Sequence, residues 1–280
     1  MILIADSGST KTDWAAVADG MLQHRIQTEG INPFVQTDDE MSSILSSLIS
    51  QLGDDGVSRA SVFFYGAGVR GEMAERMQGL LGRFFSSDVA VASDLLGAAR
   101  ALFGKCEGIA CILGTGSNSG LYDGCRIVEN TPPLGYILGD EGSGAVLGRL
   151  FINALFKHRL PDSLREEFLS DTGQDMEDII YTVYKQPLAN RYLATACKFI
   201  RRHLDCGELR ALVVENFRDF FRKNLVAYQR PDLAVSAVGS VAYFFEAEFR
   251  EAARCEGYAV GTVVQSPMEG LITFHTGISS

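Results

Sequence analysis

The sequence predicts an α/β protein in two lobes, each built on a mixed sheet, and three observations carry that reading. A strand-turn-strand unit at the start of the chain recurs about a hundred residues on, with the same order, spacing and chemistry. After each copy, segments of strand and helix periodicity alternate, which sets parallel strands joined by helices beside an antiparallel hairpin. At 280 residues and 46% hydrophobic content, the chain can bury two cores without disulfide or metal staples.

In the first copy, Ile2 to Ala5 is a strand, Asp6-Ser7-Gly8-Ser9-Thr10 a turn, and Asp13 to Ala18 a returning strand. Asp19-Gly20 then makes a hairpin corner into a third strand, Met21 to Ile26. In the second copy, Ile109 to Leu113 is the strand, Gly114-Thr115-Gly116-Ser117-Asn118 the turn, and Ser119 to Tyr122 the return. Asp123-Gly124 is the corner and Cys125 to Val128 the third strand. The shared turn reads x-[Ser/Thr]-Gly-Ser-[Thr/Asn], and a repeated unit of this kind implies two equivalent domains.

Thr37-Asp38-Asp39-Glu40 is a capping box, followed by Met41, Ile44, Leu45, Leu48, Ile49 and Leu52 on one helical face. Strands over Ser61 to Tyr65 and Val89 to Ala92 flank a helix over about 71–85, and another helix runs from about Leu95 to Phe103. In the second half, helices are predicted over Ser143 to Phe156 and roughly 174–185, 190–204 and 208–228. A strand over Leu233 to Val238, a helix over Val241 to Cys255 and a strand over Tyr258 to Val264 follow. A cleft between two such lobes is the expected place for a ligand.

Acidic residues outnumber basic ones 35 to 25, giving a net charge of −10. Without a basic run this argues against nucleic acid and against an anionic membrane surface. It leaves room for a phosphate-bearing small molecule, which backbone N–H groups and a few placed cations can hold. Cys106, Cys111, Cys125, Cys197, Cys206 and Cys255 have no Cys-x-x-Cys spacing and read as free thiols in a reducing compartment. The apolar start, Met1 to Ala5, is too short for a signal segment, and no uncharged apolar window reaches membrane-spanning length, so a cytoplasmic location is expected. His24, His158, His203 and His275 share no ligand spacing, which supports neither a metal site nor a Ser/His triad.

The turn Asp6 to Thr12 carries one carboxylate, four hydroxyls, a glycine and Lys11 directly after a strand. Such a loop can approach a phosphate closely, donate to its oxygens and hold Mg²⁺ through water at the strand-end carboxylate; the alternative is a polar β-turn. It is not a Gly-x-x-x-x-Gly-Lys loop. The matching turn, Gly114 to Asn118, lacks carboxylate and cation, and two facing loops could grip a polyphosphate from both sides. Asp94 closes a strand and opens a helix, where it is either an N-cap or a general base for a substrate hydroxyl. Gly135 to Gly144 sets Asp140 and Glu141 among glycines ahead of an amphipathic helix, which suits a polyhydroxylated ligand as well as a favourable helix N-terminus. Val238-Gly239-Ser240-Val241 is a strand-to-helix turn on which an aromatic base or ribose could lie.

Taken in order, these five motifs resemble the sugar-kinase/actin/heat-shock-chaperone ATPase superfamily, and within it the N-acetylglucosamine kinase and benzoyl-CoA-reductase-activator type of ATPase. The similarity spans nearly the whole chain, and Gly-Asp-Glu-Gly-Ser favours the kinase branch. The resemblance implies two ribonuclease-H-like, actin-like ATPase lobes with a central cleft, one holding 1–105 plus a returning C-terminal helix over 267–280, the other 106–266. It implies ATP and Mg²⁺ as cofactors, with Gly8, Ser9, Thr10 and Lys11 facing the phosphates and Asp6 holding the metal through water. Thr115, Gly116 and Ser117 would form the second phosphate loop, and Gly239 and Ser240 would lie near adenosine. Asp94 would be the base for the sugar 6-hydroxyl, with Asn32, Asp94 and Asp140 binding the sugar. A homodimer is also implied.

Two departures stand out: Thr131-Pro132-Pro133-Leu134-Gly135 replaces the Gly-rich entry of the kinases, and the C-terminal helix is short. Two other activities fit the same motifs: a sugar- or nucleotide-sensing protein without turnover, and an activator ATPase, for which the irregular Cys spacing gives no support.

Overall fold

The computed structural model describes residues 1–8, 10–53, 59–277, so Ser9 lies outside the described residues. Contacts divide the chain into two units. The first comprises Met1–Cys106, Asp123–Ile127 and Ser266–Ser280; the second comprises Glu107–Tyr122 and Val128–Gln265.

The first unit is a five-stranded sheet of β1 (Ile2–Ser7), β2 (Lys11–Ala18), β3 (Met21–Glu29), β4 (Ser61–Gly66) and β5 (Val89–Ser93), in the order β3-β2-β1-β4-β5. β1 and β2 are antiparallel, as are β2 and β3, whereas β4 and β5 continue the sheet in parallel. The apolar residues of β1 alternate in destination, as a strand buried on both faces requires. Leu3 and Ala5 enter a core with Trp14, Phe64, Met41, Leu45 and Leu48, under α1 (Asp38–Leu52) and α2 (Glu72–Leu81). Ile4 faces the other way, into a smaller core with Ala15, Tyr65, Met268 and Leu271. That face is covered by α3 (Asp94–Phe103) and α12 (Met268–Thr276), which packs on both α3 and β1. The short C-terminal helix thus completes the first unit's second core.

The second unit repeats the topology. Its strands are β6 (Gly108–Leu113), β7 (Ser117–Tyr122), β8 (Ile127–Glu129), β9 (Val235–Val238) and β10 (Val260–Val264), in the order β10-β9-β6-β7-β8. Read from the other edge, each strand occupies the place of its counterpart: hairpin partner on one side of the opening strand, two parallel strands on the other. The expected duplication is therefore present as equivalent sheets.

Helices α4 (Gly135–Leu138), α5 (Gly144–Phe156), α6 (Asp162–Thr172), α7 (Met176–Lys185), α8 (Ala189–Arg202), α9 (Gly207–Phe220), α10 (Ser240–Phe244) and α11 (Glu246–Cys255) make the second unit the larger. Ile109, Cys111 and Leu113 of β6 meet Leu147, Phe151, Phe217, Phe221 and Phe249 in its core. Three expectations are corrected. The segment 208–228 is not one regular helix: α9 gives way to a π-turn at Phe221–Leu225 and a 3₁₀ turn at Val226–Tyr228. The predicted helix over Val241 to Cys255 is two, broken at Phe245, and α6 was not anticipated. Among the described residues no helix is long and apolar enough to cross a membrane.

Candidate active site

The predicted loop from Asp6 to Thr12 is shorter than the sequence suggested, because β2 already begins at Lys11. Gly8 N–H donates to the Lys11 carbonyl at 3.0 Å, closing a tight reversal. Of the four hydroxyls, those of Ser7 and Thr12 turn inward: they are fully buried, 2.7 Å apart, and both meet the Ile31 N–H, at 2.9 and 3.2 Å. They serve the fold, and Thr10 stays exposed beside Gly8. Lys11 pairs with Asp13 at 2.8 Å.

Asp6 stands at the C-terminal end of β1, half-buried, and its carboxylate has no hydrogen bond or ion pair to a described residue. Burial first, then the nearby carboxylates of Asp94 and Asp13, push it up to about 7, against a smaller opposing effect of Lys11. Desolvated carboxylates that no ion pair neutralises are costly. This is the donor set a divalent ion held through water would relieve, so Asp6 fits Mg²⁺.

Ser93, not Asp94, is the N-cap of α3, accepting from the Leu96 N–H. Asp94 is the first helical residue, and its Oδ1 accepts the Leu95 N–H at 2.8 Å. Burial holds its carboxyl above the ordinary range, opposed by that hydrogen bond and by the charge of Arg70. Arg70, in the loop after β4, was missed at the level of sequence because a lone arginine in a turn matches no motif.

Asn32 sits in a loop fixed from several sides. Its N–H donates to the Gln36 side chain at 2.7 Å, and its Oδ1 accepts the Phe34 N–H at 2.9 Å. Arg76 of α2 reaches Asp38 and the carbonyls of Pro33 and Gln36. At the tip of this braced loop Phe34 and Val35 are exposed at 75% and 72%, an apolar pair that sequence reading did not single out.

In the second unit, the loop Gly114 to Ser117 is seated on the start of α5: Gly144 and Ala145 N–H groups donate to the carbonyls of Gly114 and Thr115 at 2.8 and 3.1 Å. Asp140 adopts a left-handed backbone (φ 54°), tolerable for Asp, and its carboxylate accepts the Ser117 backbone N–H. A side chain at Gly116 would stand 3.1 Å from Asp140 Oδ2, so the two predicted sites within this unit are in direct contact. Burial raises Asp140 to about 6, with Glu141 adding to the shift. Glu141 is instead tied back to Lys223 at 3.6 Å and Asn224 at 3.4 Å, both in the π-turn. Gly239 (φ 122°) passes so close to Leu113 that a Cβ would lie 2.3 Å from its carbonyl oxygen, and it places Ser240 exposed at the start of α10.

The structure thus brings Asp6, Gly8, Thr10, Lys11, Asn32 and Asp94 into the first unit, and Thr115, Gly116, Ser117, Asp140, Gly239 and Ser240 into the second. Among the described residues no group of three or more His, Cys, Asp or Glu is arranged to hold a metal directly.

No protein-family model and no curated protein matches the chain. Solved structures do. The "putative N-acetylglucosamine kinase" of Porphyromonas gingivalis is 48% identical, with a TM-score of 0.96 and 99% of each chain covered. That of Chromobacterium violaceum is 18% identical at a TM-score of 0.75, covering 98% of this chain and 99% of its own. A glucokinase of the ROK family from Streptomyces griseus, solved with glucose and AMPPNP, is 15% identical at 0.57, covering 98% and 97%. The last two speak to the fold, which is that of the actin-like ATPases. The first reaches further: near-complete overlap at almost half identity, on a chain whose two sheets repeat one topology, places the protein in the N-acetylglucosamine kinase-type family of the sugar-kinase/actin/heat-shock-chaperone ATPases.

Proposed function

We propose that this protein is an ATP-dependent sugar kinase that transfers the γ-phosphoryl group to the 6-hydroxyl of N-acetylglucosamine or a related amino sugar. The observation that carries the reading is the pair Asp6 and Asp94 at the C-terminal ends of β1 and β5, on either side of β4, with neither carboxylate neutralised by an ion pair among the described residues. Family membership supports the sugar-kinase part of the reading.

In this reading Asp94 accepts the proton of the sugar hydroxyl as its oxygen bonds to the γ-phosphorus, while the bond from that phosphorus to the β,γ-bridging oxygen breaks and ADP leaves. Desolvation suits Asp94 to the task, because a carboxylate raised above its ordinary value is a stronger base. Gly8, Ser9, Thr10 and Lys11 hold phosphate oxygens, Lys11 exchanging Asp13 for them, and Asp6 holds Mg²⁺ through water. Bound Mg²⁺ supplies charge neutralisation at the phosphates. Thr115, Gly116 and Ser117 contribute a second set of phosphate donors, and Gly239 leaves an open backbone face for adenosine. Asn32 and Asp140 take sugar hydroxyls, with Phe34 beside Asn32 as an apolar neighbour for the ring or its acyl group.

The test is coupled ADP release over a panel of hexoses and N-acylhexosamines. Release that depends on an amino sugar, with the 6-phosphate as product, supports the reading; hydrolysis indifferent to sugar, or sugar binding without turnover, moves it to an activator ATPase or a sensor. We also infer a homodimer. It is supported by the exposed Met176, Ile180, Tyr181 and Tyr184 of α7 and Ile137 and Leu138 of α4, apolar side chains that a subunit contact would cover. Sedimentation equilibrium checks it.

A further inference from the structure

Asn216, Phe220, Asn224 and Tyr228 recur at every fourth residue of α9 and the turns that follow it, and all four are buried. In a regular α-helix each step of four carries a side chain about 40° around the axis, enough over three steps to move Tyr228 off the face that Asn216 uses. The π-turn at Phe221–Leu225, closed by the Val226 N–H on the Phe221 carbonyl, takes back part of that drift. One stripe of side chains thus continues past the end of α9.

That stripe meets one segment, Thr131 to Gly142, at both of its ends. At the far end the Gly142 N–H donates to Asn216 Oδ1 at 3.2 Å, and Gly142 lies so near Phe220 that a Cβ would stand 2.9 Å from the Phe220 Cβ. Asn224 touches both ends: its Nδ2 donates to Glu141 Oε2 at 3.4 Å, and its carbonyl accepts the Thr131 hydroxyl at 2.7 Å. Tyr228 accepts the Thr131 N–H at 3.0 Å, and its hydroxyl lies 2.8 Å from that of Ser119, two residues beyond Ser117 of the second phosphate loop. Between the two ends, Leu134 (φ 62°) and Asp140 (φ 54°) hold left-handed backbone without being glycine, a conformation that persists only where its surroundings fix it. Inside the segment the Asp140 N–H bonds to the Pro133 carbonyl at 2.8 Å, so ends fixed from outside fix Asp140 as well.

We propose that Asn224 and Thr131 are positioning residues for the sugar: Asn224 clasps Thr131 and Glu141, closing the segment between them into a loop of set shape that holds Asp140 beside Gly116 of the second phosphate loop. Both act through Asp140, since a carboxylate on a loop free to wander by an ångström loses its aim at a hydroxyl. This inference rests on the sugar-kinase reading above, in which Asp140 takes a sugar hydroxyl.

The test removes the two halves of the clasp separately, on the full chain. Asn224→Leu loses the bond to Glu141 and keeps the carbonyl; Thr131→Val loses the hydroxyl at nearly unchanged shape, and Thr131→Ser keeps it. Asn224→Leu and Thr131→Val are each expected to raise KM for N-acetylglucosamine, or for whichever hexosamine the wild type phosphorylates best, by about tenfold, with KM for ATP within about threefold. Thr131→Ser should restore the sugar KM to within about twofold of wild type. A sugar KM within about threefold of wild type in both Asn224→Leu and Thr131→Val overturns the proposal, and so does an equal rise in the two KM values. If Asn224→Leu does not fold, Thr131→Val against Thr131→Ser decides alone. Hydrogen exchange separates this from failure of the kinase reading. If the wild type phosphorylates no hexosamine, that reading falls; the clasp stands if the amides of Asp140, Gly142 and Ser143 exchange about tenfold faster in Thr131→Val while those of α5 do not. Exchange unchanged at those three amides, or raised equally across α5, removes it.

Discussion

The Ser7 hydroxyl grips both backbone groups of Ile31: it donates to the carbonyl at 2.9 Å and accepts the N–H at 2.9 Å. Ser7 ends the strand that carries Asp6, and Ile31 precedes Asn32, so one buried hydroxyl joins the turn assigned to phosphate to the loop assigned to sugar. Ser7→Ala removes the donor to the Ile31 carbonyl and leaves the Ile31 N–H with the Thr12 hydroxyl alone, in a dry site. The expected loss is about 1–3 kcal/mol of stability, read by urea titration, together with a higher KM for sugar at nearly unchanged KM for ATP.

Asp6 is held at about 7 by burial and by Asp94 and Asp13, so the folded chain takes up a proton there that the unfolded chain would take only near 4. Above about pH 7 the native state bears an ionised, crowded carboxylate; the penalty fades as pH falls toward 4. Asp6→Asn should therefore stabilise the protein at pH 8, by about 1–3 kcal/mol once partial solvent access is allowed for, with the gain shrinking toward pH 4. The same variant should lose Mg²⁺-dependent turnover. Denaturant titrations at the two pH values and an activity assay check both halves; equal stability at pH 8 would contradict the crowding.

His275 behaves oppositely. Its Nε2 lies 2.8 Å from the Tyr65 hydroxyl, which also receives Arg100 Nη1 at 2.8 Å, and the ring stacks on Phe63 with centroids 3.8 Å apart. Burial first, then the Arg100 charge, push the imidazole down to about 4. The unfolded chain binds the proton first, so the stability this neutral ring contributes is complete above about pH 6.5 and is lost between there and pH 4. With the ring partly exposed, about 1–2 kcal/mol is at stake. His275→Gln, able to keep the bond to Tyr65, should flatten the fall in stability between pH 7 and 4.5; an unchanged fall would show that other groups set it.

Much of this was legible in the residues. The paired hairpins, the capping box at Thr37 and Glu40, and the glycine turns after β1, β6 and β9 are local features, and local features are what a sequence displays. The inward turn of Ser7 and Thr12 was not legible, because only contact with Ile31, distant in sequence, distinguishes a buried hydroxyl from a phosphate donor. Helix α6 was missed because only Leu164 and Phe168 are buried on it and Pro161 stands at its cap, a weak stripe behind a turn signal. The break at Phe245 and the π-turn at Phe221–Leu225 occur where packing overrides a periodicity that continues unbroken in the sequence. Asp94 looked equally like a cap until Ser93 proved to fill that place.

The central claim is that Asp94 takes the proton of a sugar hydroxyl, and sugar 6-phosphate formation by Asp94→Asn tests it most directly. Asn keeps the size and the Oδ1 that accepts the Leu95 N–H, but cannot accept the proton. The account predicts that kcat falls by about 10²–10⁴-fold while calorimetric sugar affinity changes far less. Turnover within about threefold of wild type, with sugar phosphate still formed, would contradict it.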